Sequence, residues 1–330
     1  MKAWMLCLYL GMCAVAWNAP SADAQAYCAL RDPVKQIYQF FPEADNYRSV
    51  IRAVDGDARR QVSEQLPFTL HFNELGQHTL YVALRGSTPL GLVHVRSEAG
   101  RWGIVEIAWS LTLDLEVKGF AFQRCRDKGR AMLESPAVQA RFAGQGFDDL
   151  RAMLSDDGGA MAPDAGLLSP RASGGEKALA VTALRSALKT IAVTRLAWRD
   201  DLTQIRWIHA GMTAFAGAAS VEAVAAPNAA DGTVVLRVRD AAGDALGVVV
   251  ISQWQEQGMD TTLTWRVGAG GVLRQVTSAR PWVDDEVAAA FDQLTGLRRS
   301  DLNQCLTTVD LTAKAVLDTA ALCLTAEKPL

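Results

Sequence analysis

Thr79-Leu80-Tyr81-Val82, Pro89-Leu90-Gly91-Leu92-Val93 and Glu106-Ile107-Ala108-Trp109 follow one another in the first half of the chain. The second half runs through the same series. Val234-Val235-Leu236-Arg237-Val238 leads to Ala245-Leu246-Gly247-Val248-Val249, then to Thr262-Leu263-Thr264-Trp265. Gly91 to Trp109 and Gly247 to Trp265 have the same spacing, and Gly144-to-Leu150 recurs as Gly296-to-Leu302. A repeat of this length is no solenoid period; it describes two copies of one domain. Short alternating runs separated by tight turns, such as Gly86-Ser87-Thr88-Pro89, predict antiparallel hairpins rather than parallel crossovers.

Outward from these strands, Val34, Ile37, Tyr38 and Phe41 mark a helix that stops at Pro42. The polar stretch Arg48 to Gln65 reads as partly helical. Phe68, Leu70 and Phe72 then alternate as a strand, with a turn at Leu75-Gly76-Gln77-His78. Strands at 79–85, 90–96, 102–111 and 117–124 complete a meander, and Ser135 to Phe142 forms a short helix. The Gly-, Pro- and Asp-rich stretch from Ser155 to Pro170 is a mobile loop. A helix from Lys177 to Val193 keeps Leu179, Ala183, Leu184, Ala187, Leu188 and Ile191 on one face. The second half predicts a helix over 202–215, strands at 233–240, 246–254, 261–267 and 272–280, and helices at 284–294 and from 309. The expected fold is α+β: two repeated units, each an antiparallel β-meander covered by helices. The units span residues 27–195 and 196–330.

The composition, 330 residues with 50% hydrophobic and 21% charged, is that of ordinary globular protein with room for two domains. A formal charge of -3, with no run of Lys or Arg, excludes a nucleic-acid surface. Met1-Lys2, the apolar run Met5 to Trp17 and the Ala22-Asp23-Ala24 exit predict a secretory signal over residues 1–24. Export to the periplasm and no membrane span after cleavage follow. Cys28, Cys125, Cys305 and Cys323 then remain, an even number that permits three disulfide pairings or four free thiols. A Cys305–Cys323 pair conflicts with a continuous helix from Val309 to Leu322, which would hold them roughly 20 Å apart.

Phe40-Phe41-Pro42-Glu43-Ala44, the strand pair around Leu90-Gly91, the strand with Gly103 to Ala108, Phe142-x-Gly144 and Ser173-Gly174-Gly175-Glu176 opening a helix form one ordered set. In that order the first unit, from about Tyr27 to Arg195, resembles the FMN-binding domain of exported flavin subunits in membrane electron-transfer complexes. A weaker echo covers residues 198–326. The resemblance implies an FMN cofactor, a flavin electron-carrier function and a partner in a membrane redox complex. In that family a Thr at the helix start carries FMN through a phosphoester bond. Here Gly175 or Glu176 stands in its place, so attachment there is excluded and FMN would be held non-covalently.

The chemistry of the helix start allows two readings. Ser173-Gly174-Gly175-Glu176 can offer backbone N–H groups and the positive helix end to a phosphate, with Arg124 or Arg126 helping to neutralise it. Ser173 and Glu176 can equally form a capping box. In the second unit Thr307-Thr308-Val309-Asp310 puts a carboxylate at the Thr position, and no phosphate site is expected there. Cys125, between Arg124 and Arg126, would be a reactive thiol if those charges lowered its pKa. Glu106, between Val105 and Ile107, is expected to face solvent or a helix. The four His have no metal-ligand spacing, and no nucleophile elbow or paired-carboxylate motif occurs, so no catalytic residue is assigned. A flavin-free binding or structural module that kept the fold is the alternative.

Overall fold

The computed structural model describes residues 32–70, 74–225, 232–256, 259–279, 285–302 and 308–325. The signal segment and Cys28, His71, Phe72, Arg280 and Cys305 lie outside them. The chain divides into two compact units after Arg199, and the hairpin tip Leu84–Leu90 counts with the second.

In the first unit α1 (Val34–Phe40) leads to β1 (Asn46–Val54) and α2 (Gly56–Gln65). The strands β2 (Gly76–Arg85), β3 (Thr88–Gly100), β4 (Gly103–Leu111) and β5 (Val117–Arg124) follow. All five strands form one sheet in the order β1-β2-β3-β4-β5. Short helices α3 (Arg130–Leu133), α4 (Pro136–Phe142) and α5 (Phe147–Ala152) precede the 24-residue α6 (Gly174–Ala197). Helix α6 lies over the sheet and buries Leu179, Ala183, Leu184, Ala187, Leu188 and Ile191. Ala- and Leu-rich composition suits a long helix, and its cap, formed by Ser173, fixes where it starts.

The second unit opens with α7 (Arg199–Ala214) and a second five-stranded sheet. Its strands are β6 (Ser220–Val224), β7 (Val234–Arg239), β8 (Ala245–Glu256), β9 (Met259–Gly268) and β10 (Leu273–Ser278). Then come α8 (Asp285–Gln293), a 3-10 turn at Arg299–Leu302 and α9 (Thr308–Thr325), which packs on β7, β8 and β9. The architecture is therefore α+β with two antiparallel sheets. No helix among the described residues is long and apolar enough to cross a membrane.

The stretch 48–65 is helical in part, as expected: α2 takes its second half, and residues 46–54 form an edge strand of which only Val54 is buried. An edge strand with one neighbour carries little apolar patterning, so its period is hard to see. Phe68 and Leu70 lie outside any strand: Leu70 donates its N–H to Ser63 Oγ at 3.1 Å and accepts from Arg59 Nε at 2.9 Å, which ties this segment to α2. The proposed turn at 75–78 is instead the start of β2. Glu106 is 2% exposed and does not face solvent.

In each sheet a glycine lets a strand pass under a phenylalanine against a neighbouring carbonyl. A Cβ on Gly91 would run into the Phe41 ring and lie 2.7 Å from the Leu111 carbonyl oxygen. A Cβ on Gly247 would meet the Phe215 ring and the Val267 carbonyl oxygen. Backbone cannot retreat as a side chain can, so both positions exclude alanine. We expect Gly91→Ala and Gly247→Ala each to cost about 1–3 kcal/mol in urea unfolding. Gly56→Ala, which meets open space in the first turn of α2, should be neutral by the same measurement.

Candidate functional site

The first turn of α6 is fixed by its own side chains. Ser173 Oγ accepts from the Glu176 N–H at 3.3 Å, and the Ser173 N–H donates to Glu176 Oε2 at 2.7 Å. That backbone N–H holds the exposed Glu176 carboxyl below the usual glutamate range. The capping box is thus formed and occupies two of the first-turn donors. The N–H groups of Gly174 and Gly175 have no hydrogen-bond partner among the described residues.

A cleft of about 510 Å³ opens at this turn. It brings together Ser173, Gly175, Glu176 and Arg126 with Trp102 and with two residues the sequence reading did not single out, Arg101 and Lys128. Arg101 and Trp102 come from the β3–β4 hairpin, whose tip folds back towards the helix. The Arg101 guanidinium lies 5.1 Å from the Trp102 ring centroid, and that ring is 57% exposed. Lys128 and Arg126 sit in the turn after β5. Gly129 lets that turn close on the helix, because a Cβ there would stand 3.2 Å from Glu176 Cα.

Three cations therefore face two carboxylates, Asp127 and Glu176. Both carboxylates already accept backbone N–H groups, Asp127 from Gly129 at 2.8 Å. Residual positive charge, unpaired N–H groups and the helix dipole favour an anion, and the exposed indole beside them offers a face for stacking. Arg124 does not line the cleft; it stands at the end of β5 opposite Glu106. Cys125 is a free thiol, half-buried, and burial pushes its pKa up, contrary to an activated thiolate. The chain lacks any group of His, Cys, Asp and Glu that could hold a metal among the described residues.

A second polar cluster is buried beneath α6. Lys189 Nζ donates to Glu74 Oε1 at 2.9 Å and to Glu98 Oε2 at 2.8 Å, while Arg96 pairs with the other Glu74 oxygen. His78 Nε2 donates to the Glu74 carbonyl oxygen at 2.8 Å, and His94 Nδ1 pairs with Thr194 Oγ1 at 3.2 Å. Burial and the Arg96 charge depress the His78 pKa to about 4 and hold His94 well below the ordinary histidine value. His78, expected in a turn, and His94 both belong to this buried cluster. A larger cleft, about 1090 Å³, lies between α4, α6 and the loop 159–170.

No protein-family model matches this chain, and no curated protein matches it. The likeness to the FMN-binding domain rests on the residues quoted above.

The histidines give a pH dependence whose sign is fixed. Both are neutral in the folded protein, and His78 resists protonation until about pH 4, whereas in the unfolded chain it titrates near 6.5. The stabilisation is complete above about pH 6.5 and is lost as pH falls towards 4. His78 alone should account for about 3 kcal/mol. Urea unfolding between pH 7 and 4 should show this loss, and His78→Asn should flatten the curve. Lys189→Met, which leaves Glu74 and Glu98 buried without their shared cation, should cost about 3–5 kcal/mol.

Proposed function

We propose that this is an exported, periplasmic binding protein made of two copies of one α+β unit. Its first copy holds FMN non-covalently and serves as a flavin electron carrier to a membrane redox complex. Support for duplication comes from matching local constraints. Gly91 and Gly247, Trp109 and Trp265, and Val117 and Leu273 stand at one constant offset in the chain. In each unit the glycine meets a phenylalanine ring and a carbonyl oxygen of the next strand in the meander. Gly144 donates its N–H to the Val117 carbonyl at 2.8 Å, and Gly296 donates to Leu273 at 2.8 Å.

The observation that carries the flavin reading is the α6 cleft. Gly174 and Gly175 present two unpaired N–H groups where Arg126, Arg101 and Lys128 gather beside an exposed Trp102. A phosphate at the N–H pair and an aromatic ring on the indole suit a nucleotide of this size. The flavin-free module is favoured by one observation: Glu176 and the capping box already satisfy half of what the helix start can donate.

On the flavin reading the purified protein is yellow, or takes up added FMN, with absorbance near 450 nm. Arg126→Ala with Lys128→Ala should weaken FMN by about tenfold or more, as loss of charge-assisted hydrogen bonds does. Arg124→Ala should leave affinity unchanged, and riboflavin, which lacks the phosphate, should bind more weakly than FMN. A colourless protein that does not bind FMN at millimolar concentration establishes the flavin-free module instead.

A further inference from the structure

The larger cleft shares no lining residue with the flavin cleft and has different chemistry. Its floor and sides are aliphatic: Met132 from α3, Val138 from α4, Met161 and Leu168 from the loop, and Val181 from α6. No aromatic side chain lines it, so nothing there stacks on a planar ligand. Two charged residues reach it, Arg141 and Lys177, and both are cations. No carboxylate lines it, and neither cation forms an ion pair or side-chain hydrogen bond among the described residues.

The loop wall is formed in advance, despite its Gly- and Pro-rich sequence. Ser155 Oγ donates to Asp157 Oδ1 at 2.7 Å and accepts from the Ala160 N–H at 3.0 Å, while Ala162 donates to the Met153 carbonyl at 2.9 Å. Leu154 and Met161 bridge, and Leu167 is buried as an anchor. Gly166, at a φ of +58°, leaves space for the Arg141 guanidinium, whose Nη1 would stand 3.2 Å from a Cβ there.

We propose that this cleft binds an aliphatic carboxylate of fatty-acid type, its chain along the Met, Val and Leu lining and its carboxylate at Arg141 and Lys177. An aliphatic, aromatic-free trough of this volume suits a flexible chain. Two unpaired cations without a counter-charge call for an anionic head.

The test uses the mature chain and 11-(dansylamino)undecanoic acid, whose emission rises on entering an apolar site. The probe should bind, and decanoate should displace it at least tenfold better than decanol. Arg141→Ala with Lys177→Ala should remove that preference for the acid and leave the absorbance near 450 nm after FMN addition unchanged. Ala178→Trp, on the exposed face of α6 lining the cleft, should block probe binding with circular dichroism unchanged. The proposal is overturned if the probe does not bind, if decanol competes as well as decanoate, or if Ala178→Trp leaves binding intact. FMN binding lost in the Arg126/Lys128 variant alone tests the flavin cleft, so the two outcomes separate.

Discussion

Lys189 holds the first unit together in a way that apolar packing alone does not. It reaches from the middle of α6 to both Glu74 and Glu98, and Arg96 completes a set of two cations and two carboxylates. Removing four charges from water is expensive, and their mutual attraction repays it only when the geometry is good. The gain is specificity: a helix that slid one turn along the sheet would strand two carboxylates without a cation. The Trp109 indole, donating to Ser186 Oγ at 3.0 Å, and Trp198, donating to the Val50 carbonyl at 3.0 Å, pin the same helix on either side. With its rotation and translation fixed, the first turn of α6 is set against the β3–β4 hairpin tip and the turn after β5.

The second sheet meets the same packing demand with less charge: its buried cation is Arg237 on β7, 3.8 Å from the partly exposed Glu222. His94 stands opposite Trp109 in the β3–β4 ladder, and Val250 stands opposite Trp265 in the β8–β9 ladder. Continuing along each strand, Arg96 and Glu98 have Ser252 and Trp254 in the corresponding places. There Trp265 donates to Ser252 Oγ at 2.9 Å, and the rest is an apolar cluster with Phe291, Leu294 and Leu317. A five-stranded meander under a helix therefore does not need the ionic cluster.

The parts of the fold legible in the sequence were those with strong periodicity. β3, β4, β8 and β9 are half or wholly buried and flanked by glycine turns, so alternation located them within a few residues. The edge strands β1 and β6 were not legible, because exposed strands with one neighbour leave polar and apolar residues mixed. Within the site, Ser173 and Glu176 could be found because a capping box is a local pattern. Arg101 could not, since a hairpin tip reaches α6 only through the sheet's folding. The ionic cluster left one signal that was passed over: His94, Arg96 and Glu98 fall on the strand face that also carries Leu92 and faces Trp109, where alternation demands burial. Three polar residues on an inward face require partners, and Lys189, on the apolar side of α6, was one of them.

What separates the two units chemically is concentrated around the first two turns of α6. The loop 153–172 has no counterpart before α9, and it supplies one wall of the aliphatic cleft. Arg126, Lys128 and the Arg101–Trp102 pair surround the other side of the same helix start. Two clefts of opposite character can share one helix end only if that end does not move, because each depends on residues from several segments meeting within a few ångströms. The buried charges beneath α6 satisfy that requirement at the middle of the helix, and the capping box satisfies it at its start. In the second unit the buried cation Arg237 lies on β7, 3.8 Å from the partly exposed Glu222. In the first unit the buried charges and the capping box together fix the turn at which the two clefts meet.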